Sequence, residues 1–263
     1  MATLIHPSAI VSPSAVLGEN VQIGPYAIIE GDAQIGDDCH LDAHTVIRPF
    51  VVMGNGNQVL ANAVIGGLPQ DTRFDPKQRS EVRIGDENIF REGVTVNRAT
   101  QAGSATRIGS GCYFMNNSHI AHDCVIGDRV IFASDVAIGG FVEVGDQAFL
   151  GGGAKVHQYC RIGPLVMISG TVGVLQDVIP YTLAGDSPAR HYRLNVVGLK
   201  RAGISGERFR LLSLAFRRLR ERQSLEGLDE SPEMTVLRNW LACDSKRGIS
   251  SFLSLSRNEG RHE

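Results

Sequence analysis

Large apolar residues recur at every sixth position along most of this chain. From Val11 the register runs through Leu17, Ile23, Ile29, Ile35, Leu41, Ile47, Met53 and Val59 to Ile65. It breaks after Gly66, resumes at Ile84, Phe90 and Val96, and breaks again after Arg98. A third run extends from Ile108 through Phe114, Ile120, Ile126, Phe132, Ile138, Val144, Leu150, Val156, Ile162 and Ile168 to Val174. Two residues earlier sits a mostly small residue, as at Ala9, Ala15, Ala27, Ala33, Ala63, Ala148 and Ala154. A glycine often follows the large one, as at Gly18, Gly24, Gly36, Gly127, Gly145 and Gly163. A period of six fits neither a helical turn nor the alternation of a long strand. It predicts a β-solenoid in which each unit supplies one short side and a corner. Three sides close a triangular coil of about 18 residues, with large residues inside, small ones beside them and Gly permitting the corner. Nine or ten coils at ~4.8 Å each make a prism about 45 Å long.

The register places Cys39, Cys112, Cys124 and Cys160 in the small-residue slot, as core spacers and not nucleophiles or ligands. The two breaks, residues 67–81 and 99–105, predict loops leaving the prism, where function usually sits. After about Pro188 the period changes. Ile204, Phe209, Leu212, Phe216 and Leu219 define a helical apolar face ringed by Arg208, Arg210, Arg217, Arg218 and Arg220. Ser231-Pro232-Glu233 reads as an N-cap, a first-position Pro and a first-turn carboxylate of another helix. The expected organisation is a solenoid over 1–189 and a small α-helical domain over 190–263 that covers its end.

Composition supports a globular chain with many turns. There are 30 glycines and 6% aromatics, so an aliphatic core in a prism too narrow for many bulky rings is expected. No apolar run reaches the roughly 20 residues of a membrane-spanning helix. The first six residues lack a basic stretch followed by an apolar one, and five unpaired-looking cysteines suit a reducing compartment. A cytoplasmic protein that coats no nucleic acid is expected. The net charge of −2 hides an asymmetry: residues 190–263 hold 15 Lys/Arg against 9 Asp/Glu, and the rest is acidic. The basic end is either an ordinary solvated surface or a platform for an acidic partner.

A filled prism has no internal pocket, so chemistry belongs outside it, in a groove between two prisms packed side by side. In Ser118-His119-Ile120-Ala121-His122-Asp123-Cys124, Ile120 points inward, and His119 and His122 flank it outside. One coil further on, Gly139-Gly140 offers an accessible backbone N–H for an oxyanion. His157 lies one coil above Gly139. Asp123 is placed to fix the His122 tautomer.

These stretches carry a resemblance. Asn117-Ser118-His119-Ile120-Ala121-His122-Asp123-Cys124, Val156-His157-Gln158-Tyr159-Cys160, Pro69-Gln70-Asp71 and Asn195-Val196-Val197-Gly198-Leu199-Lys200-Arg201 resemble the UDP-N-acetylglucosamine O-acyltransferases of lipid A biosynthesis, over nearly the whole chain. The resemblance implies a left-handed winding, which the period alone does not, and a homotrimer with active sites between prisms. It implies transfer of a 3-hydroxyacyl group from the phosphopantetheine of acyl carrier protein to the sugar 3-hydroxyl, with no metal or other cofactor. His122 is then the general base, Asp123 its support, and the Gly140 N–H the oxyanion donor. His119, His157 and Gln158 line the site, and Gln70 and Asp71 reach the sugar. Asn195 and Arg201 handle nucleotide and phosphates, and Gly170 leaves room for a longer acyl chain. The basic end suits an acidic carrier protein.

Four positions depart from the family pattern. Arg73 stands for a usual Lys in the loop, Phe141 for a usual His, Val197 for a usual Glu, and Ala202 for a common second Arg. They leave open acylation of a different UDP-amino sugar, such as the 3-amino analogue. Two further alternatives are a non-catalytic scaffold and a zinc-dependent carbonic anhydrase-like β-helix. The latter's neighbouring ligands are separated by four residues, whereas His119 and His122 are separated by two.

Overall fold

A computed structural model describes residues 3–253. Met1, Ala2 and residues 254–263 of the predicted C-terminal domain lie outside the described residues.

The sixfold register becomes three flat parallel sheets. Among the described residues they contain eleven, nine and eight strands, nearly all of two to four residues. Each sheet takes every third hexad. Ile23 pairs with Leu41 on the first, Ile29 with Ile47 on the second and Leu17 with Ile35 on the third. Ten parallel strands of the longest sheet span about 43 Å at ~4.8 Å per step. From Ile23 to Val174 every inward residue of the register is at most 5% exposed. The four spacer cysteines are buried among them, and burial pushes the Cys124 thiol up to about 12.

Two details differ from expectation. The interior is wide enough for rings: Phe90, Phe114 and Phe132 form a fully buried column, one per coil, with centroids 5.1 and 5.2 Å apart. That separation is close to the coil spacing, so aromatic stacking and strand pairing reinforce each other. Nor do the glycines that directly follow the inward residues turn the corners, although Gly56, Gly93, Gly111 and Gly153 do so two positions later. The left-handed backbone falls three residues after the inward residue, on Asn20, Asp38, Asn117 and Asp135 among others. Gly127 is required by close approach instead. A Cβ there would lie 2.2 Å from Asp146 Oδ1, which accepts the Asp128 N–H at 2.9 Å. The same ladder rung recurs a coil lower, where Asp128 Oδ1 accepts the Ser110 N–H at 2.8 Å.

Helices α1 (Val196–Arg201), α2 (Gly206–Arg220) and α3 (Pro232–Ala242) close the end of the prism around a second core of Tyr181, Leu199, Leu211, Leu212, Phe216, Met234 and Leu237. Ser231 Oγ accepts the Met234 N–H at 3.2 Å, capping α3. Glu233 does more than meet the helix dipole: it pairs with Arg208 and so ties α3 to α2. The strand Arg190–Leu194 pairs antiparallel with Thr182–Gly185, extending the longest sheet past the last coil.

Candidate active site

His122 and Asp123 sit on the corner between the second and third sheets, just after inward Ile120. Asp123 takes a left-handed conformation, with φ of 59°, which Asp tolerates, and its N–H donates to buried Thr106 Oγ1 at 2.8 Å. Its Oδ2 then accepts three hydrogen bonds. They come from His122 Nδ1 at 2.9 Å, the Thr100 hydroxyl at 2.7 Å and the Thr100 N–H at 3.0 Å. Burial would raise this carboxyl, but the donors from His122 and Thr100 outweigh it and hold it below the ordinary carboxylate value. A carboxylate only accepts, so His122 carries its proton on Nδ1, leaving Nε2 as a base. Nε2 has no hydrogen-bond partner among the described residues.

Gly140 lies one coil above. A Cβ on it would come within 2.4 Å of His122 Cε1 and 2.7 Å of Nε2, so only glycine fits against the ring. The backbone expected to be open is therefore covered: Gly140 is buried, its Cα side filled by the imidazole. Its N–H, unlike those of Gly139 and Phe141 on either side, has no acceptor among the described residues.

An open pocket of about 460 Å³ brings together Gln70, His119, His122, Gly139, Gly140, Lys155, His157 and Gln158. His119 shares a 2.8 Å hydrogen bond with Thr95 through Nδ1. Burial, with the charges of His122 and Lys155 added, holds it below the ordinary imidazole value. Asp71 and Arg73 do not line the pocket but pair with each other at 3.3 Å, and Arg73 is 89% exposed. Gly170, Asn195 and Arg201 also lie off it. Asn195 is committed locally: Oδ1 accepts the Gly198 N–H at 3.0 Å at the start of α1, and Nδ2 donates to the Leu165 carbonyl at 2.9 Å.

Phe141 stands edge-on to His122 with centroids 5.3 Å apart, and stacks on Tyr159 at 4.8 Å. It walls the base where a polar side chain was expected. Val197 is exposed on α1, and Ala202 is its C-terminal cap. Sequence reasoning missed Thr95, Thr100 and Arg247, whose guanidinium meets His157 Nδ1 at 2.8 Å. A signal existed for Thr100: the break at 99–105 follows Val96, which pairs with Ile120, so that loop leaves the same corner one coil below His122.

A model of the bacterial transferase hexapeptide repeats matches residues 32–67 and 105–140, and a model of the second domain of UDP-N-acetylglucosamine O-acyltransferase matches 177–250. The acyl-[acyl-carrier-protein]–UDP-N-acetylglucosamine O-acyltransferase of Anaeromyxobacter sp. is 42% identical over 81% of this chain and 83% of its own. That of Sinorhizobium fredii is 36% identical over 94% and 95%. This chain belongs to the UDP-N-acetylglucosamine O-acyltransferase family.

Solved structures of that family superpose closely. LpxA from Acinetobacter baumannii gives a TM-score of 0.88 at 36% identity, covering 94% of this chain and 99% of that one. The UDP-N-acetylglucosamine acyltransferase from Campylobacter jejuni gives 0.88 at 32%, covering 95% and 100%. The fold is the left-handed parallel β-helix of this family with a helical C-terminal part.

Proposed function

We propose that this protein transfers an acyl group from acyl carrier protein to the 3-hydroxyl of UDP-N-acetylglucosamine, opening lipid A biosynthesis, with His122 as general base. The observation that carries the reading is the free His122 Nε2, oriented by Asp123 and Thr100, beside the unpaired Gly140 N–H. Nε2 takes the proton of the 3-hydroxyl as that oxygen attacks the thioester carbonyl. The oxyanion of the tetrahedral intermediate receives the Gly140 N–H. Collapse breaks the C–S bond, and His122 returns the proton to the departing phosphopantetheine sulfur. A thioester is already activated, so one base and one oxyanion donor suffice in kind and no metal is assigned.

His119, His157, Gln158 and Gln70 are assigned to substrate binding from one protomer, with Asp71 and Arg73 nearby on the loop. Gly170, Asn195 and Arg201 lie off this pocket and are assigned to the pocket of a neighbouring copy, the acyl chain passing Gly170. That division of labour is the physical argument for a homotrimer. A basic helical unit over 190–263 is the proposed docking side for the acidic carrier protein, and a cytoplasmic location follows from that donor. No described helix is long and apolar enough to cross a membrane.

The test is acyl transfer from several 3-hydroxyacyl carrier proteins to UDP-N-acetylglucosamine and to its 3-amino analogue, with native protein and His122→Ala. Native protein is expected to acylate the 3-hydroxyl, and His122→Ala to lose turnover while keeping its oligomeric state. Near-native turnover in the variant sinks the mechanism, and exclusive use of the amino analogue sinks the acceptor.

A further inference from the structure

The corner that carries His122 is closed from above by a segment more than 120 residues away in sequence. Residues 245–250 return to it after α3. The Gly248 carbonyl accepts the Asp177 N–H at 2.8 Å, and the Ser250 N–H donates to the Asp177 carbonyl at 2.8 Å. Asp177 opens the last stretch of the third sheet, one coil above Arg161, and Leu175 and Gln176 just before it turn this corner one coil above His157 and Gln158. Gln176 Nε2 donates to the Arg247 carbonyl at 3.3 Å, so the segment caps the catalytic column itself. Two of its side chains reach down. Lys246 Nζ lies 4.5 Å from the centroid of Tyr159, the ring stacked on Phe141. Arg247 donates through Nε to the Leu175 carbonyl at 3.3 Å and through Nη2 to His157 Nδ1 at 2.8 Å.

His157 Nδ1 has a second neighbour, the Gln158 carbonyl at 3.2 Å. The two neighbours demand opposite proton positions. A carbonyl accepts, and would draw the proton onto Nδ1. A guanidinium only donates, and needs the Nδ1 lone pair. The arginine is closer, so the proton moves to Nε2 and the ring offers an N–H donor to the pocket it lines.

We propose that Arg247 is a positioning residue that selects the Nε2–H tautomer of His157, and that this donor binds an acceptor oxygen of the nucleotide sugar. The proposal rests on the active-site reading above for its kinetic consequence, while the tautomer stands apart from it. Without Arg247 the ring turns into an Nδ1–H donor to Gln158 and presents a lone pair to the substrate. One donor is then lost and two acceptors face each other, which weakens binding without touching His122.

The test uses the full chain with ¹⁵N-labelled histidine. Two-bond imidazole correlation spectra should show His157 as Nε2–H in the native protein and as Nδ1–H in Arg247→Met, with Arg247→Lys keeping the native form. KM for the nucleotide sugar should rise about tenfold in Arg247→Met, the worth of one neutral hydrogen bond. kcat should stay within about threefold, and the Lys variant should recover most of the loss. His157→Ala should raise KM similarly, and the double variant should be no worse than His157→Ala alone. An unchanged tautomer in Arg247→Met, or KM losses that add in the double variant, overturns the proposal. If His157→Ala leaves KM unmoved while the tautomer still switches in Arg247→Met, the proposed donor to the nucleotide sugar is overturned and the tautomer selection stands.

Discussion

Three donors converge on one oxygen, Asp123 Oδ2, and two of them come from Thr100. The threonine hydroxyl and N–H hold the carboxylate so that its remaining direction faces His122. Asp123→Asn keeps the shape and, because an NH₂ at the Oδ2 place would face both Thr100 donors, keeps an accepting oxygen there. But it removes the negative charge that stabilises the imidazolium formed as His122 takes the proton. Turnover should fall about 10²- to 10⁴-fold with little change in KM. Thr100→Val keeps the N–H donor and loses only the hydroxyl, so a loss of about tenfold or less is expected. Steady-state kinetics at saturating donor and acceptor check both, and equal losses in the two would mean that Asp123 does not act through its charge. The His122-Asp123 pair was legible in the sequence because its members are adjacent. Thr100 was not, because its contact depends on how a six-residue insertion folds back.

Both breaks in the register, at 67–81 and 99–105, leave the prism from the corner after the second sheet, following Ile65 and Val96. Counting hexads would have placed them there, since Ile65, Val96 and Ile120 pair in succession. What counting could not supply is how the longer loop is held. Arg98 is 4% exposed, sits 5.3 Å from the ring centroids of both Phe50 and Phe74, and donates to the Pro76 carbonyl at 3.0 Å. It pins the loop that brings Gln70 to the pocket. Burial lowers its guanidinium from the ordinary arginine value, though arginine stays charged at neutral pH. Arg98→Ala should release the loop. Trypsin should then cut faster after Arg73, Lys77 or Arg79, and KM for the nucleotide sugar should rise several-fold while the melting temperature of the prism moves little. Unchanged cleavage at these sites would remove Arg98 from this role.

At the scale of the whole molecule, the helical end is fastened to the last coils by buried polar contacts as well as by its apolar core. Arg161 pairs with buried Asp177 at 2.8 Å and lies 4.3 Å over the Trp240 ring. His191 is fully buried; its Nε2 accepts the Ile179 N–H at 3.0 Å and its ring lies 4.8 Å from Phe252. Desolvation pushes its pKa down to about 4, against weaker opposing contacts with the Ser251 and Ser250 backbone. The unfolded chain takes up the proton near pH 6.5, the folded chain only near 4. The stability this residue contributes is therefore full above pH 6.5 and is lost as pH falls toward 4, by roughly 3 kcal/mol. Denaturant unfolding at pH 7 and 4.5 should show that drop shrink in His191→Gln, and an undiminished drop would assign it to other groups.

Charge at this end divides more finely than the sequence suggested. Arg218 is engaged with the Ser224 and Glu226 carbonyls, Arg220 lies 5.8 Å over Phe216, and Arg217 is exposed. Arg217→Glu is the clean probe of carrier-protein docking. KM for acyl carrier protein should rise a few-fold at low ionic strength and less at high. A KM that does not move returns Arg217 to the solvated surface.

The sequence by itself determined the coil, the inward residues and the corner that carries the base, because a six-residue period is a local rule that every unit must satisfy to bury its large side chain. Three matters waited for the tertiary structure. The glycines directly after the inward residues serve close approach, not turning, because atoms of the next coil occupy the space of their Cβ atoms. Thr100 and Arg98 act through loops whose paths no repeat dictates. Arg247 meets His157 across 90 residues, because the chain must traverse three helices before its returning segment can cap the last coil. Contacts of that kind depend on how elements pack, and no spacing along the chain encodes them.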